Sequence, residues 1–176
     1  MNSWTKTVMN DWANSWGMIQ WNSCESENLK KVKELVADGA DVNIQDERGF
    51  TPLMWASYYG QTKIVKELIA HDADLNKQDE VGGTALLLAV SAGPKNMETI
   101  KALIDAGADM SIQDNEGWTA LKTAVGARYG EISRLLNEAE RRKNASKIPT
   151  PIKIGGYSLM VKMLDPKVTV SVKEHE

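Results

Sequence analysis

The stretch DERGFTPLMWASYYGQTKIVKELIAHDADLNKQ (residues 46–78) decides the fold, because the chain repeats it. A second copy, DEVGGTALLLAVSAGPKNMETIKALIDAGADMSIQ, starts at Asp79, and a third, DNEGWTALKTAVGARYGEISRLLNEAERRK, starts at Asp114. The starts are 33 and 35 residues apart, and the two extra residues fall around Pro94–Asn96. An earlier half copy covers residues 28–45. A period of this length predicts stacked repeats of one small structural unit.

Apolar residues recur at helical spacing within each copy. In the copy that starts at Asp46, one stripe of the second helix comprises Ile64, Val65, Leu68 and Ile69. One helix pair cannot bury such a stripe alone, so neighbouring copies must share a continuous core. Gly39 and Gly107 follow second helices at the place where a left-handed residue ends a helix, and Asp72 takes that place in the copy between them.

These units resemble the ankyrin repeat, whose pattern is D-x-x-G-x-T-P-L-H-x-A, a turn, and a second helix ending in G-A-D-V-N. The matching residues are Gly49, Thr51, Pro52, Leu53 and Ala56, then Gly82, Thr84, Leu86 and Ala89, then Gly117, Thr119, Leu121 and Ala124. The resemblance covers residues 26–144 and extends to the second-helix ends at 39–43, 73–76 and 107–110. The histidine of the pattern is replaced by Met54, Leu87 and Lys122, so its turn hydrogen bonds are expected to be absent.

The predicted fold is an all-α repeat solenoid of about four units, the first of them degenerate, followed by a short C-terminal β-hairpin. The expected divisions are an N-terminal capping segment (1–25), the repeat domain (26–145, with units 28–45, 46–78, 79–113 and 114–144) and a tail (146–176). The polar last helix, 131–144, is expected to cap the stack, because a terminal repeat has only one neighbour.

The N-terminal segment carries an amphipathic pattern. Trp4, Val8, Trp12 and Trp16 recur every four residues, and Ile19 and Trp21 are assigned to a degenerate first helix. One interpretation is that these rings cover the open end of the first repeat. The alternative is a partner or membrane surface, although a membrane-bound helix would usually carry more basic residues than Lys6 alone.

The tail changes in composition. Proline at 149 and 151 cannot continue a helix, and two strands are predicted at 157–164 and 168–173 around the turn Asp165-Pro166-Lys167. Because an isolated hairpin is marginal in water, the tail is expected to dock on the array, to pair with a second copy in a homodimer, or to add to a partner's sheet.

The inventory of reactive residues argues against an enzyme. Cys24 is the only cysteine, and His71 and His175 lie in no metal-binding pattern. We therefore expect no catalytic site, no metal and no cofactor. The net charge of −3 argues against nucleic-acid binding. The N-terminus lacks a secretory signal pattern and no stretch is long enough to span a membrane, which predicts a cytoplasmic protein.

The resemblance implies binding of another protein through the loop tips and the first helix of each repeat. Transferring those positions selects Glu47, Arg48, Phe50, Tyr58 and Tyr59, then Glu80, Val81, Ser91 and Ala92, then Asn115, Glu116, Trp118 and Arg128. The aromatic members are the expected anchors, because Trp, Tyr and Arg dominate interface energetics. Trp55 is assigned to the core. The acidic loop residues favour a partner with a basic surface.

The leading hypothesis is a stoichiometric inhibitor or immunity-type binder of one partner protein, since similar ankyrin-only proteins inhibit enzymes by occupancy. The alternatives are a scaffolding adaptor and a self-associating structural protein that uses the hairpin or the Trp helix.

Overall fold

The computed structural model describes residues 23–145 continuously, Trp16, Ile19 and Trp21 individually, and three strand segments in the tail. Contacts within the chain define two units, Met1–Asn137 and Glu138–Glu176. The helices are α1 (Glu25–Ala37), α2 (Pro52–Tyr59), α3 (Thr62–Ala70), α4 (Ala85–Ser91), α5 (Met97–Asp105), α6 (Ala120–Gly126) and α7 (Gly130–Ala145), with a 3-10 helix at Pro94–Asn96. The predicted all-α repeat fold is confirmed for the helical array.

The first helix of each repeat begins at the threonine of the T-P-L pattern. The hydroxyls of Thr51, Thr84 and Thr119 accept hydrogen bonds from backbone N–H groups three residues later, at 3.2–3.3 Å. Such a cap satisfies one of the N–H groups that a helix N-terminus leaves without a partner. In the first of these helices the sulfur of Met54 in turn accepts the N–H of Thr51 at 3.4 Å.

The second helices end in left-handed residues, as the pattern predicts. Gly39 and Gly107 have φ values of 81° and 95°, and Asp72, which replaces glycine, has φ of 60°. Arg128 also has φ of 60°, at the place where Gly60 and Gly93 follow the first helices of the preceding repeats. An L-residue in this region is strained, so the surrounding packing must hold both exceptions.

The helices pack in two layers. First helices stack on one another (α2 on α4, α4 on α6), and second helices form the other row (α1 on α3, α3 on α5). The core between them is closed by fully buried side chains, the largest being Leu53, Met54, Ile64, Leu68, Leu86, Ile100, Leu103, Ile132 and Leu136. Trp55 is not part of this core: it is only partly buried, which corrects its assignment from the sequence.

Two polar ladders join consecutive repeats. The amide of Gln45 donates to Gly49 O at 2.7 Å and to Gln78 O at 3.0 Å, and Gln78 repeats both bonds one unit later with Gly82 and Gln113. In the second ladder, Asn43 Oδ1 accepts the N–H of Asp74 at 2.7 Å and Asn76 Oδ1 accepts that of Asp109 at 2.9 Å. These bonds fix the register of the loops.

Aromatic residues cover the N-terminal end of the array. Trp16 and Trp21 are 5% and 6% exposed, and their rings stack with centroids 6.5 Å apart. Gln61 donates from Nε2 to Trp21 O at 2.5 Å. The N–H groups of Ile19 and Trp21 bond to carbonyls three and two residues earlier, so both lie in tight turns and not in the helix predicted from the sequence. Trp4, Val8 and Trp12 lie outside the described residues.

The second unit contains three short strands, β1 (Ile152–Ile154), β2 (Tyr157–Val161) and β3 (Val170–Glu174), in the order β1-β2-β3. Both pairs are antiparallel, with Ile154 opposite Tyr157 and Val161 opposite Val170. The sequence predicted strands only from residue 157 onward and did not include β1. Residues 162–169, which include the predicted turn, lie outside the described residues, and the packed C-terminal hairpin stays a prediction. None of the helices described here is both long and apolar enough to cross a membrane.

Candidate protein-binding surface

The loop before each first helix is held by the aspartate that opens the repeat. Asp46 Oδ1 accepts the N–H groups of Arg48 and Phe50, both at 2.9 Å. Asp79 and Asp114 form the same pair of bonds in the following loops, at 2.7–3.0 Å. These three carboxylates therefore shape the turns, and the side chains around them project from equivalent positions.

Neighbouring loop tips are joined in register. Glu80 N–H donates to Arg48 O at 3.2 Å, and Asn115 N–H donates to Val81 O at 3.0 Å. The side-chain amide of Asn115 also donates to Glu80 O at 3.0 Å. Side chains at the same step of each repeat therefore form rows across the surface: one row is Phe50, Gly83 and Trp118, and two others are Tyr58, Ser91 and Gly126, and Tyr59, Ala92 and Ala127.

Five side chains of the first full repeat form what we call the aromatic cluster: Arg48, Phe50, Trp55, Tyr58 and Tyr59. Trp55 is its centre, with ring centroids 4.8 Å from Phe50 and 6.2 Å from Tyr59, the latter nearly parallel. Tyr58 meets Tyr59 edge-on at 5.2 Å. The Arg48 guanidinium carbon lies 5.4 Å from the centroid of Phe50 and 5.1 Å from that of Trp55, within the range of cation–π attraction.

The cluster is ordered and still accessible. Tyr58 and Tyr59 are 41% and 36% exposed. The indole Nε1 of Trp55 donates to Asp46 Oδ2 at 3.1 Å, which couples the cluster to the loop that presents it. A small pocket at its base is lined by Phe50, Trp55 and the buried Trp16 among others. The N-terminal cover and the candidate surface therefore meet at the same repeat.

At the step where both neighbouring repeats present a ring, Phe50 and Trp118, the middle repeat has Gly83, and at the steps of Tyr58 and Tyr59 it has Ser91 and Ala92. We call the position of Gly83, Ser91 and Ala92 the central gap, since the aromatic cluster lies on one side of it and Trp118 on the other. Trp118 is 42% exposed, and its ring lies against Gly126, where an added Cβ would be 3.1 Å from the ring.

The charged loop residues are mostly acidic. Glu47, Glu80 and Glu116 are exposed, one on each of the three loop tips. Val81, next to Glu80 on the middle tip, is 65% exposed. Lys122 turns back to donate to Gly117 O at 2.9 Å. Two exposed lysines of the second helices contact acidic residues there: Lys33 lies 3.6 Å from Glu67 and Lys63 lies 3.8 Å from Glu25.

The transferred positions do not all share one role. The five predicted binding residues of the first full repeat fall within or beside the aromatic cluster. Asn115 instead joins two loop tips, and Arg128 occupies the position after a first helix that Gly60 holds in the first full repeat. Trp55 was missed, although its spacing of four residues from Tyr59 and five from Phe50 could have signalled a shared surface.

Other reactive residues are isolated from this surface. Serine and backbone hydrogen bonds at the start of α1, the side chain of Ser26 first among them, lower the pKa of the exposed Cys24 thiol. His71 ends α3 and lies 3.5 Å from Glu67. Within the described residues no group of three potential metal ligands comes together.

Comparison with known proteins agrees with this architecture. The family model for ankyrin repeats matches in three copies, at residues 18–114 and 71–147. A curated relative, Protein VAPYRIN-LIKE from Medicago truncatula, is 37% identical over 48 residues, which are 27% of this chain and 10% of the relative. The matched region thus spans about a tenth of that relative's length. Ankyrin repeats generally mediate protein–protein interactions, and this chain belongs to the ankyrin-repeat family.

Proposed function

We propose that this protein binds a partner protein stoichiometrically through the loop tips and first helices, and that it inhibits the partner by occupying its surface. The aromatic cluster carries this proposal. It joins the residue types that dominate interface energetics, and stacking holds their rings before a partner arrives. Preordered side chains lose little rotamer entropy on binding, which favours affinity.

Charge indicates the kind of partner. Glu47, Glu80 and Glu116 line successive loop tips, and the local cation Arg48 is held over rings. An acidic row of this kind raises the association rate with a basic surface, and the effect weakens as salt screens it. We therefore favour a partner whose contact surface is basic.

Inhibition is favoured over adaptor function by the layout of the surface. The aromatic cluster and Trp118 occupy equivalent rows of one layer of first helices, so one bound partner can cover them together. A partner held over that span has its own contact surface blocked. An adaptor would need a second, separate surface.

The test is capture from source cells with the full chain as bait. We compare the wild type with a triple variant, Tyr58→Ala, Tyr59→Ala and Trp118→Ala, and with a control pair on the second helices, Lys66→Ala and Lys101→Ala, which are also exposed. We expect the triple variant to lose most of the captured partner, with affinity reduced about a hundredfold or more, since each anchor contributes on the order of 1–2 kcal/mol. The control should bind as the wild type does.

Two results would count against the proposal. Full affinity in the triple variant would show that the surface is placed wrongly. If the purified partner is an enzyme and keeps its full activity when saturated with this chain, the binding is not inhibitory.

A further inference from the structure

Asp79 differs from the other loop aspartates in one oxygen. Its Oδ1 accepts two backbone N–H groups, but its Oδ2 is buried and has no hydrogen-bond donor among the described residues. The residue as a whole is 7% exposed. In the first repeat the same oxygen of Asp46 accepts the indole N–H of Trp55, whereas the residue equivalent to Trp55 in the second repeat is Leu88, which has no donor. A buried carboxylate oxygen without a donor is costly, which indicates a missing partner.

This oxygen lies beside Gly83, the buried glycine of the central gap. A Cβ added to Gly83 would be 2.8 Å from Asp79 Oδ2, and the two next nearest atoms belong to the same carboxyl group. Position 83 is the step from which Phe50 and Trp118 project in the flanking repeats. The oxygen therefore occupies the place where the middle repeat lacks a side chain of its own.

The surroundings favour a cation. Exposed Glu47, Glu80 and Glu116 lie on the three successive loop tips, and Phe50 and Trp118 hold the step of Gly83 in the two flanking repeats. Guanidinium groups stack on aromatic faces and donate N–H bonds to carboxylates, and Arg48 already shows the first of these contacts in the neighbouring repeat.

We propose that the central gap is a subsite for one arginine side chain of the partner, whose guanidinium donates to Asp79 Oδ2. The inference rests on the proposed protein-binding function and adds the chemistry of the group bound. Because Oδ2 is shielded in the free chain, the guanidinium reaches it as side chains at the loop tip rotate, where Glu80 and Val81 are exposed. The carboxylate then gains the donor that Leu88 does not provide.

The probe is N-acetyl-L-arginine amide, titrated into the full-length protein and followed by amide NMR. The informative signals are the N–H groups of Val81 and Gly83, which donate to Asp79 Oδ1 at 3.0 and 2.7 Å. We expect these signals to shift saturably with the arginine probe, and to remain in place with N-acetyl-L-citrulline amide, a neutral molecule of the same shape. Equal shifts with both probes, or none with either, would overturn the inference without any variant.

A matched pair of variants locates the effect. Asp79→Asn keeps an oxygen for the turn and removes the negative charge, and Asp114→Asn makes the same change in the next loop, where both turn bonds are equivalent. Affinity for the arginine probe should fall about tenfold or more in D79N and stay unchanged in D114N. Equal losses in the two variants would reduce the effect to general attraction by acidic loops, and the subsite would be refuted.

The two proposals can fail separately. If capture of the partner depends on Tyr58, Tyr59 and Trp118 while the arginine probe causes no shift, the binding surface stands and the arginine subsite falls. If neither capture nor the probe responds to the corresponding changes, both fail.

Discussion

Gly82 shows at the scale of one residue how closely consecutive loops approach. Its φ is +81°, and an added Cβ would lie 2.7 Å from Asn115 N and 2.8 Å from Asp114 Cα, both backbone atoms. Gly107 has a similar φ of +95°, but nothing lies within 4 Å of an added Cβ. The two glycines therefore separate the cost of a left-handed backbone from the cost of close contact.

We expect Gly82→Ala to destabilise the protein more than Gly107→Ala. The second change should cost about 1–2 kcal/mol for the left-handed backbone alone, and the first should cost at least about 2 kcal/mol more, because a backbone neighbour cannot move aside locally. Urea unfolding followed by circular dichroism measures both. Equal losses would mean that the loops can separate without cost.

The 3-10 helix Pro94–Asn96 shows what one short element adds. It accommodates the two extra residues of the second repeat and brings Asn96 to the end of α2. Asn96 is 1% exposed, and its Nδ2 donates to Ser57 O and Tyr58 O, both at 2.9 Å. Helix C-termini leave carbonyls without partners, so this side chain caps the helix that carries Tyr58 and Tyr59.

Asn96→Ala should lower the free energy of unfolding by about 2–3 kcal/mol, because Tyr58 O loses the donor that Asn96 supplies and Ser57 O keeps only the longer bond from Gly60 N–H at 3.3 Å. The matched control is Asn115→Ala, which removes an exposed bond to Glu80 O and should cost about 0.5–1 kcal/mol. Thermal unfolding of the two variants checks the difference. A smaller loss in N96A than in N115A would contradict the capping role.

At the scale of the whole molecule, stability depends on neighbours, because each repeat contacts only the units beside it. Buried Trp16 and Trp21 cover one end of this stack, next to the repeat that bears the aromatic cluster. Exposed Trp118 lies two repeats away on the candidate binding surface. Tryptophan therefore stabilises the first end of the stack where it is buried and is available for binding where it is exposed.

Trp16→Ala should cost about 3–5 kcal/mol, whereas Trp118→Ala should cost about 1 kcal/mol or less. Because a loss of stability at one end of the stack affects the nearest repeats most, amide hydrogen exchange in W16A should increase first in α1 and α2 and least in α6. Hydrogen-exchange mass spectrometry resolves these segments. A uniform increase along the array would show that the repeats unfold as one unit.

Much of the fold could be predicted because the ankyrin pattern specifies local geometry. Gly39, Gly107 and even Asp72 were placed correctly, since the turn that follows each of these second helices needs a left-handed residue. The candidate surface was harder to predict. Trp55 was assigned to the core although it is only partly buried, because alignment gives a residue's step in the repeat and not the exposure of its side chain. Arg128 is exposed, and its role in binding stays a prediction.

The sequence by itself determined the repeat period, the helix pairs and which residues occupy equivalent steps of each repeat, because these follow from local conformational preferences and a spacing of apolar residues. Only the tertiary structure decided that Arg48, Phe50, Trp55, Tyr58 and Tyr59 form one cluster, and that Asp79 keeps an oxygen without a donor. Both depend on which side chains meet across loops and helices, and packing in three dimensions sets those contacts.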